Sequence, residues 1–335
     1  MTDSARPVGF LLHPEAPLHD TGWGHPEHQG RLRALASAVG RDLLALHERV
    51  VQVEPGQVRD EDLLRVHTPG HLALLRAAVE RAEKGGAPVP LDADTIVSAA
   101  SWGAATGSTA VLLTAVGQVA DGTLSSAFVA TRPPGHHATP DRAMGFCLIN
   151  HVAVAARWLQ DTGRAERVLI VDWDVHHGNG TQDVFYADGT VFYLSLHQSP
   201  HYPGTGAASE TGLGEGVGWT LNVPLPAGTS AAEYSRQFSD ALSQGLEICR
   251  PDFILISAGF DVMAGDPLGG MLLEPEDLHS LTQAVMAGAA HGSGVEDAHG
   301  VGIVAALEGG YDPARTGLGA AAVLRALAGI DLEGC

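Results

Sequence analysis

Residues 167–180 read RVLIVDWDVHHGNG, and this stretch decides the fold class of the chain. The run VLIV is apolar at every position, as a strand buried on both faces of a parallel sheet requires. Carboxylates and histidines follow at the point where such a strand ends. In an open α/β sheet, ligands bind outside the carboxyl ends of the strands. The stretch therefore predicts a buried strand and, directly after it, a candidate site.

Short apolar runs alternate with longer Ala- and Leu-rich stretches along the rest of the chain. We predict strands at residues 8–12, 50–53, 126–130, 167–172, 191–195, 219–223, 253–257 and 302–307. We predict helices at residues 30–39, 69–84, 102–120, 150–161, 231–250 and 275–290. This alternation indicates a doubly wound α/β fold, with a mainly parallel sheet and helices on both faces. No linker-like segment interrupts it, so we expect a single domain over residues 1–335.

The charge balance narrows the classes of ligand. The chain has 19 Lys and Arg against 39 Asp and Glu, a net charge of −20. Such an acidic protein repels phosphate backbones, so nucleic acid is not expected as a direct ligand. A cationic substrate would be attracted instead. Hydrophobic residues make up 45% of the chain, which excludes a disordered protein.

The cysteines and the N-terminal sequence indicate in which cellular compartment the protein is expected. Cys147, Cys249 and Cys335 are scattered and odd in number, and they form neither a disulfide framework nor a C-x-x-C zinc module. The N-terminal sequence has too short an apolar stretch for a signal peptide. No continuous apolar run approaches the roughly 18 residues that cross a bilayer. We therefore expect a cytoplasmic protein without a membrane segment.

Four of the predicted strands end in polar, glycine-containing segments. AFVA is followed by TRPPGHHA, VLIV by DWDVHHGNG, FILIS by AGFD, and IVAAL by EGGYD. Glycine lets the backbone approach a ligand closely, and each segment also carries a His, Asp or Tyr. Because the carboxyl ends of parallel strands meet at one edge, we expect the four segments to converge on one site.

Three residues in these segments fit a metal site. Alternate side chains of extended backbone share a face, so we expect Asp172, Asp174 and His176 to point the same way. Asp174 and His176 could then ligate one divalent metal, with Asp261 as the third ligand. Three protein ligands and an open position are the arrangement of a catalytic zinc. The alternative is a set of solvated carboxylates with a capping histidine, which the third ligand on a neighbouring strand end disfavours.

Proton transfer is the chemistry expected of the other polar residues at these strand ends. His136 and His137 follow the stiff turn Pro-Pro-Gly, and two differently partnered histidines can have separated pKa values. Asp172 lies outside the proposed metal ligands and could hold the distal nitrogen of one ring. Tyr311 follows two glycines and could donate a hydrogen bond to a developing oxyanion. Taken singly, a His-His pair is more often a surface feature, and a Gly-Gly-Tyr is more often a turn.

Several motifs together resemble the zinc-dependent, class II-like branch of the histone deacetylase family. They are RPPGHHA, MGFCLIN, DWDVHHGNGTQ, YLSLHQ, PGTG, SAGFD, DPLGG and LEGGYD, in the family's order, with His25-Pro26-Glu27 and Arg31 resembling its N-terminal signature. The resemblance covers essentially the whole chain. It implies the arginase- and deacetylase-like α/β fold and the hydrolysis of N-acyl amides. The expected substrates are acylated lysine peptides or small acylated amines.

The resemblance also implies roles for single residues. Asp174, His176 and Asp261 match the zinc ligands, His136 and His137 the paired histidines, and Tyr311 the mobile tyrosine. Asp172 matches the partner of His136. Asn179 falls where some members have a second Asp opposite the second histidine, and Asn at this place is typical of class II-like members. Because an amide does not carry the negative charge that stabilises imidazolium, His137 should deprotonate more readily.

Substrate and potassium sites follow from the same resemblance. The tunnel walls correspond to Phe146 and Tyr202, and Tyr202 is a mild departure because Phe is commoner there. Gly145 would offer its carbonyl to the substrate amide. One potassium ion is implied at Asp172, Asp174, His176, Ser195 and Leu196, and a second at Phe185, Asp188, Val191 and Trp219.

Three alternatives stay open beside a lysine deacylase. Acetylpolyamine hydrolases of this family commonly place an acidic residue near the tunnel mouth, where this chain has Leu268. A binuclear manganese ureohydrolase requires an Asp two residues after the ligand histidine, and this chain has Gly178 at that position. A non-catalytic acyl-lysine binding protein would usually have lost the tyrosine or a metal ligand. Whether zinc or iron occupies the site in the cell, and the oligomeric state, are not determined by the sequence.

Overall fold

The computed structural model describes residues 6–292 and 300–332. Its frame is a sheet of eight strands in the order β2-β1-β5-β10-β9-β6-β7-β8, and every neighbouring pair runs parallel. A separate pair, β3 and β4, is antiparallel. The strands are β1 (Val8–Leu11), β2 (Val50–Gln52), β3 (Val89–Pro90), β4 (Ile96–Val97), β5 (Ser126–Val129), β6 (Val168–Asp172), β7 (Val191–Gln198), β8 (Thr220–Leu225), β9 (Phe253–Ala258) and β10 (Gly302–Leu307).

Helices connect the strands and cover the sheet. They are α1 (Gly30–Arg41), α2 (Leu43–Leu46), α3 (Asp60–Leu63), α4 (Pro69–Gly85), α5 (Ser101–Ala120), α6 (His151–Asp161), α7 (Asn179–Phe185), α8 (Ala231–Cys249), α9 (Pro275–Gly292) and α10 (Pro313–Leu327). The apolar core forms two layers, one under α1, α8, α9 and α10 and one under α4, α5 and α6. The α/β fold with helices on both faces of a parallel sheet is thereby confirmed.

Strand β6 shows why its sequence is apolar throughout. Leu169 and Val171 point into the layer under α8, whereas Val168 and Ile170 point into the layer under α6. Both faces of the strand are thus removed from water, and alternation with polar residues is excluded.

The eight predicted strands and six predicted helices are all present, with shifted ends. Strand β7 continues to Gln198 instead of Ser195, because its ladder with β8 extends to Leu225. Four helices were not predicted, namely the four-residue α2 and α3 and the longer α7 and α10. Helix α10 contains two glycines, which lower helix propensity, although Asp312 caps its first turn and Pro313 opens it. Helix α7 is only seven residues long.

Helix α5 bears on the expectation that the protein has no membrane segment. Within the described residues it is the one helix long and apolar enough to cross a membrane, with a mean hydropathy of 1.2 over its best window. The prediction concerned a continuous apolar run, and α5 contains none of that length, because Gly, Ser, Thr and Gln residues interrupt its apolar positions. Since 67% of that window is buried in the protein, α5 is weak support for a membrane span.

Two of the three cysteines lie in the described residues. Cys147 and Cys249 are buried and carry free thiols. Cys335 lies outside the described residues.

Candidate active site

The four polar strand ends singled out in the sequence belong to adjacent strands. In the order β5-β10-β9-β6 they form the centre of the sheet. Residues that are far apart along the chain, from His136 to Tyr311, therefore meet at one edge, as expected for the carboxyl ends of parallel strands.

Asp174, His176 and Asp261 form a compact buried group. Their ligand atoms all lie within 4.8 Å of one another. His176 Nδ1 lies 3.0 Å from Asp174 Oδ1 and 3.2 Å from Asp261 Oδ2. Burial, and then the charge of Asp174, raise the pKa of Asp261 to about 7. Burial acts against ionisation of Asp174 as well, but the neighbouring His136 and His176 lower its pKa.

The segment after β6 is bent rather than extended. Strand β6 ends at Asp172, so strand alternation is not what brings Asp174 and His176 together. Each carboxylate instead accepts a backbone N–H of this segment. Asp172 Oδ1 accepts from Asp174 at 3.1 Å, Asp174 Oδ1 from His176 at 2.9 Å, and Asp261 Oδ1 from Val175 at 2.9 Å. The Asp172 side chain turns away from the metal group, toward His136.

The chemistry of this group fits a divalent metal. Two carboxylates and an imidazole are oxygen and nitrogen donors of the kinds that zinc accepts. Asp261 Oδ2 is buried and accepts no hydrogen bond, an arrangement that is costly unless a cation completes it. A Cβ on Gly309 would lie 2.0 Å from Asp261 Oδ2 and 2.6 Å from Asp174 Oδ2. Only glycine leaves room for both carboxylates at this point.

His136 and His137 lie beside the metal group, with ring centroids 4.0 Å apart. The His136 ring donates from Nδ1 to Asp172 Oδ2 at 3.1 Å, and the His137 ring donates from Nδ1 to Asn179 Oδ1 at 2.8 Å. Burial opposes protonation of both. Asp174 and Asp172 nevertheless raise the pKa of His136 to about 10. For His137, burial and the cationic His136 and His176 lower the pKa well below its usual value.

Tyr311 lies close to this group at the end of β10. Its backbone N–H donates to Asp266 Oδ2 at 2.6 Å, and its ring meets the Phe146 ring edge-on with centroids 5.6 Å apart. The Arg31 guanidinium carbon lies 5.0 Å from the ring centroid. Burial raises the pKa of the Tyr311 phenol well above its ordinary value, so the hydroxyl keeps its proton at neutral pH.

A cavity of about 450 Å³ opens onto these residues. The residues assigned to substrate binding, Gly145, Phe146, Tyr202 and Leu268, all line it, together with His137, His176 and Tyr311. The Tyr202 ring stands edge-on to His137, with centroids 5.1 Å apart, and is 37% exposed.

Three residues near the cavity were missed in the sequence. His201 stacks on His176 at 4.8 Å between centroids, and its Nε2–H donates to the Leu268 carbonyl at 2.8 Å. Asp266 accepts the backbone N–H of Tyr311, and Glu308 accepts the backbone N–H groups of Gly135 and His136. Glu308 directly follows β10, so its place at a strand end was a signal. Asp266 lies in the DPLGG motif, and His201 had no such signal.

The contacts of the residues assigned to potassium are with other protein groups, and they do not test whether an ion binds there. Ser195 Oγ lies 2.9 Å from His197 Nδ1, and the Leu196 carbonyl accepts from Tyr234 at 3.4 Å. At the second site, Arg157 forms an ion pair with the Asp188 carboxylate at 2.6 Å. The carbonyls of Phe185 and Trp219 accept backbone N–H groups, and Val191 pairs with β6. Both potassium sites stay predictions.

Comparison with known proteins agrees with this geometry. The chain matches the histone deacetylase domain over residues 25–327. A protein of Archaeoglobus fulgidus named probable deacetylase is 35% identical over 97% of this chain and 88% of its own length. The histone deacetylase-like amidohydrolase of Pseudomonas aeruginosa is 34% identical over 97% of this chain and 81% of its own length.

A solved structure extends the agreement to the fold. The crystal structure of the HDA15 HD domain superposes with a TM-score of 0.88 at 33% identity, covering 97% of this chain and 90% of that chain. The family match spans all four strand ends of the site. This chain therefore belongs to the histone deacetylase family and is a hydrolase that acts on amide bonds.

Proposed function

We propose that this protein removes acetyl or other acyl groups from lysine-type amines with the help of one zinc ion. The observation that carries the proposal is a cavity lined by His137, His176 and Tyr311, with Asp174 and Asp261 against His176 and with His136 beside His137. That set contains metal ligands, a proton acceptor and a hydrogen-bond donor, which are the parts that amide hydrolysis by water needs.

Zinc would be held by Asp174, His176 and Asp261, with a position open toward the cavity. When bound, such an ion lowers the pKa of water and polarises a carbonyl. The chain itself keeps Asp174 and Asp261 apart from bulk water, and the backbone N–H groups of Val175 and Gly309 orient them.

His137 is the residue proposed to move the protons. Its Nδ1 donates to Asn179, so Nε2 carries the lone pair in the neutral ring. The depressed pKa keeps the ring neutral, and His137 accepts a proton from water as the water attacks the acyl carbon. The same ring then donates that proton to the leaving amine. His136, held by Asp172, stays cationic beside it and adjusts its proton affinity.

Tyr311 is proposed to stabilise the charge that develops on the acyl oxygen. Its phenol stays protonated and can donate a hydrogen bond once that oxygen becomes negative. Asp266 fixes the backbone of Tyr311, and Phe146 fixes one side of its ring. These two contacts restrain the backbone and the ring of Tyr311.

The cavity walls support a long, slender substrate. Phe146, Tyr202 and Gly145 line the cavity. The two aromatic rings are proposed to contact a methylene chain, and the Gly145 carbonyl is proposed to accept a hydrogen bond from the scissile amide. Leu268 at the mouth is apolar, which favours acylated lysine over a polyamine whose distal ammonium would seek a carboxylate. Acetylpolyamine stays the alternative, because the net charge of −20 attracts either cation.

A binuclear manganese ureohydrolase is disfavoured by the space at Gly178. A Cβ there would lie 2.3 Å from Asp172 Oδ2 and 2.5 Å from the Tyr193 hydroxyl. No Asp side chain fits at this position, so the bridging ligand of that chemistry has no place. The complete set of metal ligands with Tyr311 disfavours a non-catalytic binding protein.

The test is a substrate panel on zinc-loaded enzyme, measured as kcat/KM. It contains acetyl-lysine peptides, longer acyl-lysine peptides and N8-acetylspermidine. We expect turnover of acyl-lysine peptides, lost after chelation and restored by zinc. Turnover of the polyamine alone would establish the alternative substrate, and activity unaffected by chelation would refute the metal. We also propose, from the sequence alone, that residues 1–335 form a single domain and that the protein is cytoplasmic. On the same ground we propose that it binds neither nucleic acid nor a membrane.

A further inference from the structure

Glu308 is a buried carboxylate that the proposed mechanism does not use. It directly follows β10, and its side chain is 1% exposed. Strand β10 lies between β5, which leads into the His pair, and β9, which leads into Asp261. Glu308 thus stands at the middle of the four strand ends that build the site.

The carboxylate of Glu308 connects the two neighbouring strands. Oε2 accepts the backbone N–H of Gly135 at 2.6 Å and that of His136 at 3.1 Å. Oε1 accepts the Ser257 hydroxyl of β9 at 3.2 Å. The turn that carries both catalytic histidines is therefore fastened by its backbone to the adjacent strands, through a single side chain.

The backbone around Glu308 is fixed as well. Its N–H donates to the Ala258 carbonyl at 3.0 Å, and its carbonyl accepts from the Arg31 guanidinium. The next residue, Gly309, donates to Asp174 Oδ2 at 2.7 Å. Two successive residues thus hold the His turn and a metal ligand, so the position of one is tied to the position of the other.

We propose that Glu308 is a positioning residue that sets the distance between the His136–His137 turn and the metal ligands through its hydrogen bonds to the turn. This inference rests on the proposed function, in which His137 moves protons. A displacement of about 1 Å of a catalytic group can cost 10²-fold in rate. Loss of the hydrogen bonds should therefore lower kcat while the cavity walls, and with them KM, stay unchanged.

The role assigned to Glu308 is that of a hydrogen-bond acceptor rather than a charge. Burial raises the pKa of Glu308 to about 7, so the neutral form is readily reached. A Gln side chain has the same length, and its amide oxygen can accept both N–H groups while its NH₂ faces the Ser257 hydroxyl. A Met side chain has a similar length but accepts only weakly. A comparison of the Gln and Met variants therefore distinguishes the hydrogen-bond acceptor function of residue 308 from its contribution to packing.

The experiment compares Glu308→Gln and Glu308→Met in the full chain by steady-state kinetics and by hydrogen exchange of residues 135–138. We expect kcat of the Gln variant within about threefold of wild type. For the Met variant we expect kcat to fall 10- to 100-fold with KM within about twofold. Amide exchange of residues 135–138 should be faster in the Met variant alone.

The contrary outcomes are distinct. A Met variant with kcat within about threefold of wild type, or with raised KM and unchanged kcat, would overturn the positioning role. A Gln variant as slow as the Met variant would show that the charge matters instead. If the Met variant does not fold, Glu308→Asp replaces it, since the shorter side chain cannot reach both N–H groups. Hydrogen exchange needs no substrate, so it tests the turn even if wild-type enzyme fails on every acyl substrate.

Discussion

The backbone N–H of Gly309 lies 2.7 Å from Asp174 Oδ2. This contact joins the segment after β10 to a proposed metal ligand after β6, across the intervening strand β9. Such outer contacts orient metal ligands, and loss of one typically costs about 10- to 100-fold in metal affinity or activity.

Substitution of Gly309 should weaken metal binding. In Gly309→Ala the added Cβ would lie 2.0 Å from Asp261 Oδ2, so at least one carboxylate must move. We expect zinc affinity to fall about 10- to 100-fold, measured by competition with a chromogenic chelator. Gly40→Ala is the matched control, because nothing lies within 4 Å of the added methyl in α1. Equal affinities in the two variants would contradict the placement of the metal.

Removal of Asp261 should abolish metal binding together with activity. Asp261→Ala leaves two of three ligands and removes the carboxylate oxygen that has no hydrogen-bond partner. We expect the purified variant to hold almost no zinc by elemental analysis, whereas Asp240→Ala, at an exposed position of α8, keeps it. Full metal occupancy in Asp261→Ala would count against the ligand assignment.

Tyr311→Phe should affect turnover rather than binding. The substitution keeps the ring between Phe146 and Arg31 and removes only the hydroxyl. Loss of one oxyanion donor typically costs about 10²–10³ in kcat, with KM changed little. The measurement is kcat at saturating substrate, with Tyr186→Phe as the control. A drop of less than about threefold would refute the oxyanion role.

Leu268→Glu should shift substrate choice toward polyamines. Leu268 lines the cavity, and its carbonyl accepts a hydrogen bond from His201. We expect a carboxylate at this position to face the distal ammonium of a bound polyamine. We expect the ratio of kcat/KM for N8-acetylspermidine to that for an acetyl-lysine peptide to rise about tenfold. Leu44→Glu, at an exposed position, should leave the ratio unchanged. An unchanged ratio in Leu268→Glu would show that the side chain does not face the substrate.

His67 should make the fold sensitive to acid. Its Nε2 accepts the backbone N–H of Asn150 at 2.9 Å and its Nδ1–H donates to Thr139, so the ring must be neutral. Burial lowers its pKa from 6.5 to about 3. Between these values the unfolded chain binds more protons, so the free energy of unfolding falls as the pH drops, by about 2 kcal/mol between pH 7 and pH 5 for this group alone.

The check for His67 is urea unfolding at both pH values. In His67→Gln the amide oxygen can still accept from Asn150, but nothing titrates. The decline in unfolding free energy from pH 7 to pH 5 should therefore be about 2 kcal/mol smaller than in wild type. An identical decline would mean that His67 does not contribute to the acid sensitivity.

The sheet could be predicted because its strands carry their own signal. Runs such as VLIV and FILIS are buried on both faces, and each is bounded by glycine or charge. The helix α10 could not be found by periodicity, because its small residues pack against α1 and give little apolar contrast. Its Asp312-Pro313 start was the one usable signal.

The candidate site was predictable in its residues but not in its geometry. Strand alternation suggested one face for Asp172, Asp174 and His176, yet the chain bends after Asp172, and hydrogen bonds to backbone N–H groups set the ligand positions. Such bonds leave no periodicity in the sequence. His201 was missed for a similar reason, since its contacts with His176 and Leu268 depend on how distant segments pack.

The strand order also bears on when the protein can become active during synthesis. Strand β10 lies between β5 and β9, although β5 ends at Val129 and β10 begins only at Gly302. The two halves of the sheet must therefore leave a gap that the last strand fills. Pairings this distant in sequence form slowly. A nascent chain whose residues 302–311 are still inside the ribosome has most of its helices and strands but neither Glu308 nor Tyr311 in place. With the roles proposed for these two residues, the chain would become active in one late step.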